Sequence, residues 1–435
     1  MESWSLAVIA GLMLGYAAVS RRLDRTPLTP AIVFVGAGLV TGAEALGWID
    51  LRIGSESVRL LAEATLTLVL FADAARLDLG KLRREYTVPV RLLGIGLPLT
   101  IALGTALAAW VLADLDTVEA LVLAVVLAPT DAALGQAVVT DERLPSRIRQ
   151  GLNVESGLND GICVPLLFIA LAVAEADEGG LTANGAIELV LEQIGYGILG
   201  GAVAGAAAAG LLVAARRRGL IESSWLQILP AAAAALAFGL AAPLGGSGFI
   251  AAFVGGLVFG GIVRRTAEQV TYLVDEVGEL LNGATFLVFG AAILGPALGD
   301  MSWETAVYAL LSLTVVRMLP VAIAFLGTRA RRPTVAYAGW FGPRGLASIV
   351  FAVILVDEAD LPHTQPILLA VVATVGLSVF AHGLSARPLT DRYARWYESH
   401  PRGQRPAMEA VPAAEHRWRW ERTNGRDSPP PGPPT

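Results

Sequence analysis

Runs of about twenty apolar residues recur along the whole chain, and the loops between them alternate in charge. That alternation limits the possible folds more than any other feature. Apolar stretches begin near residues 5, 28, 58, 88, 118, 150, 185, 225, 247, 277, 303, 334 and 363, which predicts an all-α polytopic membrane protein with thirteen transmembrane helices. Every second loop is basic: Arg21, Arg22 and Arg25; Arg76, Lys81, Arg83 and Arg84; Arg143, Arg147 and Arg149; Arg216 to Arg218; Arg264 and Arg265; Arg329, Arg331 and Arg332; and the tail from Arg387. These hold all of the 32 basic residues except Arg52, Arg59, Arg91, Arg317 and Arg344. The other loops ("DLDTVE", "EADEGG", "DEADLPH") are acidic. Basic loops stay in the cytoplasm, so the N-terminus is expected outside and the C-terminus inside. One missed or invented span would break the alternation downstream.

Composition agrees with a multi-pass protein of the cell membrane. The chain is 54% hydrophobic and 16% charged, against about a quarter charged for a soluble domain. Cys163 is the single cysteine, which excludes a disulfide framework and a cysteine-based metal site, and four scattered histidines argue against zinc. No cofactor and no nucleic-acid partner are expected. "SLAVIAGLMLGYAAVS" is followed by "RRLDR" with no small-residue cleavage site, so it reads as the first span. Residues 1–390 form the expected transmembrane domain. The Pro- and Arg-rich stretch beyond about Glu398 has no apolar periodicity, and 391–435 is expected as a disordered cytoplasmic tail.

Spans one to six begin outside, and spans eight to thirteen begin inside, because the odd seventh span separates them. Two six-helix sets of opposite orientation are the architecture of transporters with inverted repeats, which carry broken helices at matching positions. The fifth span holds "LAPTDAALG", with Pro129 ahead of Thr130 and Asp131; span twelve, the fifth of its half, holds "FGPRGLAS", with Pro343 ahead of Arg344. A proline frees a backbone carbonyl, so each break is a kink or an unwound stretch lining a cavity. The matched positions and adjacent charges favour two unwound, crossing helices. Asp131 would then face half-helix N-termini and Arg344 half-helix C-termini, each offsetting the local dipole.

Span six opens with "NVESGLNDG". At 100° per residue Glu155 and Asn159 share one face, and Ser156 and Asp160 the next. Glu155 and Asp160 therefore point apart. Asp160 is free to meet Asp131 and Thr130, giving with Ser156 an all-oxygen site that suits Na⁺ or Li⁺. Two carboxylates in a poorly solvated place need a proton or a cation between them, so the two ions compete for one site. Glu155 needs a cation of its own: Arg317 is the first choice and Arg344 the second, since a deep guanidinium requires an acceptor. Such a pair reads best as a strut bracing the bundle. Arg91 lies near a span start and can snorkel. Asp73 and Glu63 in span three are either accessory site residues or solvated carboxylates. The Gly/Ala run of span seven reads as close helix packing.

Across "APTDAALGQAVV…RIRQGLNVESGLNDGICVPLLF", with "VVRMLP" and "GPRG", the sequence resembles the NhaP-type sodium/proton antiporters of the cation/proton antiporter superfamily over about residues 5–390. The resemblance implies a homodimer. Its core bundle would include spans 4–6 and 11–13, and its dimerisation scaffold the remaining spans. It implies Asp160 as ion and proton carrier, helped by Asp131, Thr130 and Ser156, with Glu155 paired to Arg317. It also implies electroneutral exchange, because Asn159 stands before the essential Asp160. Na⁺ and K⁺ are both compatible with these side chains. An intramembrane aspartyl protease would need GxGD-like spacing, which "GLND" lacks, and a channel would need rings of carbonyls or charges.

Overall fold

A computed structural model describes residues 3–23, 26–77, 87–131, 134–177, 182–263, 272–358, 361–400 and 406–411, and among these the regular structure is helical. The helices are α1 (Ser3–Leu23), α2 (Pro30–Thr41), α3 (Glu56–Arg76), α4 (Thr87–Val111), α5 (Thr117–Val126), α6 (Gln136–Thr140), α7 (Ser146–Asp177) and α8 (Ala183–Arg217). They continue as α9 (Ser223–Ala241), α10 (Gly248–Val263), α11 (Tyr272–Val288, extended to Ala297), α12 (Trp303–Ala324), α13 (Arg332–Trp340), α14 (Leu346–Glu358) and α15 (Thr364–Glu398). Among the described residues 8 helices are long and apolar enough to cross a membrane, and α2, α5, α10 and α14 are shorter apolar helices. This is an all-helical, polytopic membrane fold. Arg25, Lys81, Arg83, Arg84, Arg264 and Arg265 of the basic loops lie outside the described residues.

Local chemistry sets the helix ends. Thr29 caps α2 through the Ile32 N–H, with Pro30 at the first helical position, where its missing N–H costs nothing. Asp116 and Glu119 form a reciprocal capping box at the start of α5. Three helices contain a π turn: Leu92–Gly96 in α4, Phe289–Leu294 in α11 and Ser312–Val316 in α12. Each lies just ahead of a proline, namely Pro98, Pro296 and Pro320. A proline cannot donate to the carbonyl four residues back, which here is that of Gly94, Ala292 or Val316, inside the π turn each time. The freed carbonyl lets the backbone take an extra residue in that turn.

Two sets of helices pack chiefly among themselves: α2, α3 and α8–α11 in one, and α4, α5, α7, α12, α13 and α15 in the other, with α14 packed against both. In the first, Gly201 and Gly205 of α8 rest on the backbone of Ala251 and Gly255 of α10, so close that a Cβ at either would overlap a carbonyl oxygen. The second set holds the polar residues of interest. It also takes in part of the expected tail. α15 runs unbroken past residue 391 to Glu398, and in residues 406–411 Met408 and Glu409 are buried. The physical reason is apolar and aromatic: Tyr393, Ala394, Tyr397 and Met408 are all buried there. The tail residues 412–435 lie outside the described residues.

Candidate ion-binding site

The site is built where two helices stop and restart. α5 ends at Val126, residues 127–131 with Pro129 and Asp131 are non-helical, and α6 starts at Gln136. α13 ends at Trp340, and residues 341–345 are non-helical before α14 begins at Leu346. The residue before a proline is pushed out of the helical region, which places the breaks at Ala128–Pro129 and Gly342–Pro343. The unwound segments cross. The Asp131 N–H donates to the Pro343 carbonyl at 2.8 Å, and Asp131 Oδ2 accepts from the Leu346 N–H at 3.1 Å, at the start of α14. Arg344, fully buried, donates to the carbonyls of Ala128 and, at 3.1 Å, Pro129, and Ser348 Oγ donates to Val126 O at 2.8 Å. The carboxylate thus meets an exposed helix N-terminus and the guanidinium an exposed C-terminus, each opposite in sign to the local dipole.

Glycines make this crossing possible. A Cβ at Gly345 would overlap the Asp131 carboxylate, and one at Gly342 would overlap the Arg317 guanidinium. Arg317, which follows directly on the π turn of α12, donates to Glu155 Oε1 at 2.7 Å and Oε2 at 3.0 Å, both residues being buried. A buried two-point pair of this kind is strong in geometry and costly to break on one side. Glu155 is therefore met by Arg317, and Arg344 turns to carbonyls instead.

On α7, Ser156 Oγ donates to the Thr130 carbonyl at 2.6 Å, and Asn159 Nδ2 donates to Thr130 Oγ1 at 2.6 Å. Both faces of α7 therefore touch Thr130, although Asn159 carried no contact in the sequence reading. Each Thr130 oxygen keeps a second lone pair. Thr130, Asp131, Glu155, Ser156, Phe341 and Pro343 line one small cavity. Asp160, half-buried, lies one turn beyond Ser156 on α7 and is not among the lining residues. Asp73 of α3 is also half-buried, whereas Glu63 is taken by Arg59 at 2.9 Å, which also pairs with Asp357.

Sequence reasoning passed over the α15 contribution. Arg344 N–H donates to Ser378 Oγ at 2.7 Å, Ser378 Oγ is 3.2 Å from His382 Nδ1, and His382 Nε2 is 3.0 Å from the Trp340 carbonyl. His382 Nδ1 also lies 3.1 Å from the Ser378 carbonyl, so each ring nitrogen faces a backbone acceptor. Two polar side chains thus hold both sides of the α13–α14 break. The available signal was a hydroxyl and an imidazole four residues apart on an otherwise apolar helix.

The sequence matches the profile for the transmembrane sodium/hydrogen exchangers over residues 7–392. The chain belongs to the sodium/hydrogen exchanger family. This exchanger-family chain is 24% identical over 360 residues to the K(+)/H(+) antiporter NhaP2 of Shewanella sp. (strain MR-4), covering 82% of this chain and 61% of the relative. It is 25% identical over 403 residues to the K(+)/H(+) antiporter NhaP of Alkalimonas amylolytica, covering 91% and 67%. Its fold is similar to that of the sodium proton antiporter MjNhaP1 from Methanocaldococcus jannaschii, with a TM-score of 0.71 at 20% identity, covering 88% of this chain and 100% of that one. The chain spans about three-fifths of the length of the first curated relatives it matches. Members of this exchanger family are cation/proton antiporters, that is, transporters and not enzymes. Within the family it is similar to these NhaP-named antiporters.

Proposed function

We propose that this chain is an electroneutral Na⁺(Li⁺)/H⁺ antiporter of the cell membrane, working as a homodimer by alternating access. The observation that carries the reading is the crossing itself. Asp131 is bound to the opposite break, while Thr130, Ser156 and Asn159 link that break to α7 one turn from Asp160. Asp131's carboxylate is engaged with the start of α14, so the exchange is assigned to Asp160. A single carboxylate that takes either a proton or a cation makes each ion's departure the condition for the other's entry. Thr130, Ser156 and Asp131 supply the further oxygens a hard cation needs. Asn159 is neutral, and one carboxylate exchanging one ion for another moves no net charge. Glu155 with Arg317, and Arg344 on its carbonyls, keep the remaining buried charges compensated. Asp73 is assigned an accessory place on the cytoplasmic approach.

The reading carries thirteen crossings in two inverted six-helix repeats, N-terminus outside and C-terminus in the cytoplasm. Two correspondences support the repeat: spans four and eleven each hold a π turn ahead of a proline, and spans five and twelve each unwind around one. Within the transmembrane domain of residues 1–390, spans 4–6 and 11–13 would form the moving core and the remaining spans the dimer scaffold. A K⁺/H⁺ antiporter is the second reading, favoured by the names of the Shewanella and Alkalimonas relatives. The test is reconstitution in liposomes with an imposed pH gradient. Na⁺ or Li⁺ should dissipate it; response to K⁺ alone would select the second reading, and silence to all three would end both.

A further inference from the structure

We propose that Glu409 is a positioning residue for the exchange site, acting from the C-terminal segment through α13; the proposal rests on the antiport reading above. α13 begins at Arg332 with Arg331 as its N-cap, and the Arg331 side chain makes no capping hydrogen bond. The acceptor comes instead from far along the chain. Glu409 Oε1 accepts from the Arg331 N–H at 2.9 Å and from Thr334 Oγ1 at 2.6 Å. A carboxylate at a helix N-terminus satisfies an orphan donor and opposes the dipole there. The Glu409 side chain is buried, and Met408 beside it packs in one apolar cluster with Phe341, Tyr337 and Tyr393.

From that anchor a ladder of polar contacts runs along α13 toward the break. Thr334 Oγ1 lies 2.9 Å from Tyr393 Oη, and Tyr337 Oη lies 2.9 Å from Thr390 Oγ1. The Tyr337 and Tyr393 rings stack with centroids 4.3 Å apart. Trp340 Nε1 donates to Ser385 Oγ at 2.9 Å, and His382 Nε2 lies 3.0 Å from the Trp340 carbonyl. Beyond Trp340 lie Phe341 and Pro343, which line the cavity beside Asp131. α13 is only nine residues long, too short to hold its helix unaided. Its register against α15 therefore depends on both ends: His382 and Ser385 fix the site end, and Glu409 fixes the cytoplasmic end. Loosening the outer end lets α13 fray and turn, which moves the Pro343 carbonyl away from the Asp131 amide. The C-terminal segment is thus a part of the core, and its release weakens cation binding.

The experiment uses the full chain in proteoliposomes, with Glu409→Ala, Glu409→Gln and Thr334→Val. Glutamine keeps the accepting oxygen and alanine does not. The apparent KM for the transported cation should rise about fivefold in Glu409→Ala, as expected for a lost cap, at a less affected maximal rate. Glu409→Gln should stay near the unaltered chain, and Thr334→Val should add little on top of Glu409→Ala. Amide exchange over 332–340 should quicken in Glu409→Ala by a similar factor. An unchanged KM in Glu409→Ala, a lowered one, or a Glu409→Gln as impaired as alanine would each overturn the proposal. If the unaltered chain exchanges no cation, the antiport reading fails by itself; amide exchange then judges the anchor, and an unchanged rate over 332–340 refutes it.

Discussion

At Gly345 the crossing has no room to spare. A methyl group there meets the Asp131 carboxylate, whose Oδ2 is held by the Leu346 N–H on the same turn. Gly345→Ala should therefore shift Asp131 or unseat the start of α14, an overpacking cost of about 1–3 kcal/mol. Exchange should fall steeply in proteoliposomes while Gly299→Ala, in open space, behaves as the unaltered chain. Equal activity of the two variants would show that the crossing tolerates the displacement. The Glu155–Arg317 pair makes a different prediction. Removing one partner leaves the other buried and uncompensated, at about 3–5 kcal/mol, whereas removing both leaves no charge. Glu155→Gln with Arg317→Gln should thus melt no lower than the worse single variant. Strictly additive losses in thermal stability would mean the two side chains do not depend on each other.

At the scale of elements, the apolar stretches and the two proline breaks were legible because each follows from periodicity or from a missing N–H. The partner of Asn159 was not. A helical wheel assigns a side chain to a face but says nothing of the oxygen opposite, and Thr130 presents its hydroxyl to one face of α7 and its carbonyl to the next. Gly342 and Gly345 were likewise visible as residues but not as clearances, which exist only once Arg317 and Asp131 arrive from other helices. The tail misled through composition. Its prolines and arginines hide Tyr393, Tyr397 and Met408, which are buried within residues 391–400 and 406–411. One clasp on this side is electrostatic: Arg143 bonds Asp141 and, at 2.6 Å, Asp391 of α15. Burial raises the Asp141 pKa, but the Arg143 hydrogen bonds and charge outweigh it and leave the carboxyl below its ordinary value. A folded pKa below the unfolded one means stability present above the unfolded value and lost as pH falls through the folded one. The clasp should therefore hold across physiological pH and open only in acid below the usual carboxylate range. The pair is partly exposed, so its worth is under about 1 kcal/mol. Asp141→Asn should lower the melting temperature slightly at neutral pH, with the difference vanishing in strong acid; a difference that vanishes near pH 6 would assign the transition to another group.

For the whole molecule, the polar residues are concentrated where two interrupted helices cross, inside a bundle whose other charged side chains are paired or near the helix ends. A static strut would need only Glu155 and Arg317. Asp131, Thr130, Ser156, Asn159 and Asp160 go beyond what bracing requires, and we propose that they form a site which empties and refills. The most direct measurement of that claim is exchange in liposomes holding the purified chain, followed by an internal pH dye, with the membrane potential set to zero or to a large negative value. Na⁺ or Li⁺ should drive proton movement at the same rate under both potentials, and Asp160→Asn should abolish it. A rate that follows the potential would contradict one-for-one exchange, and full activity in Asp160→Asn would contradict the assignment of the exchange to this carboxylate.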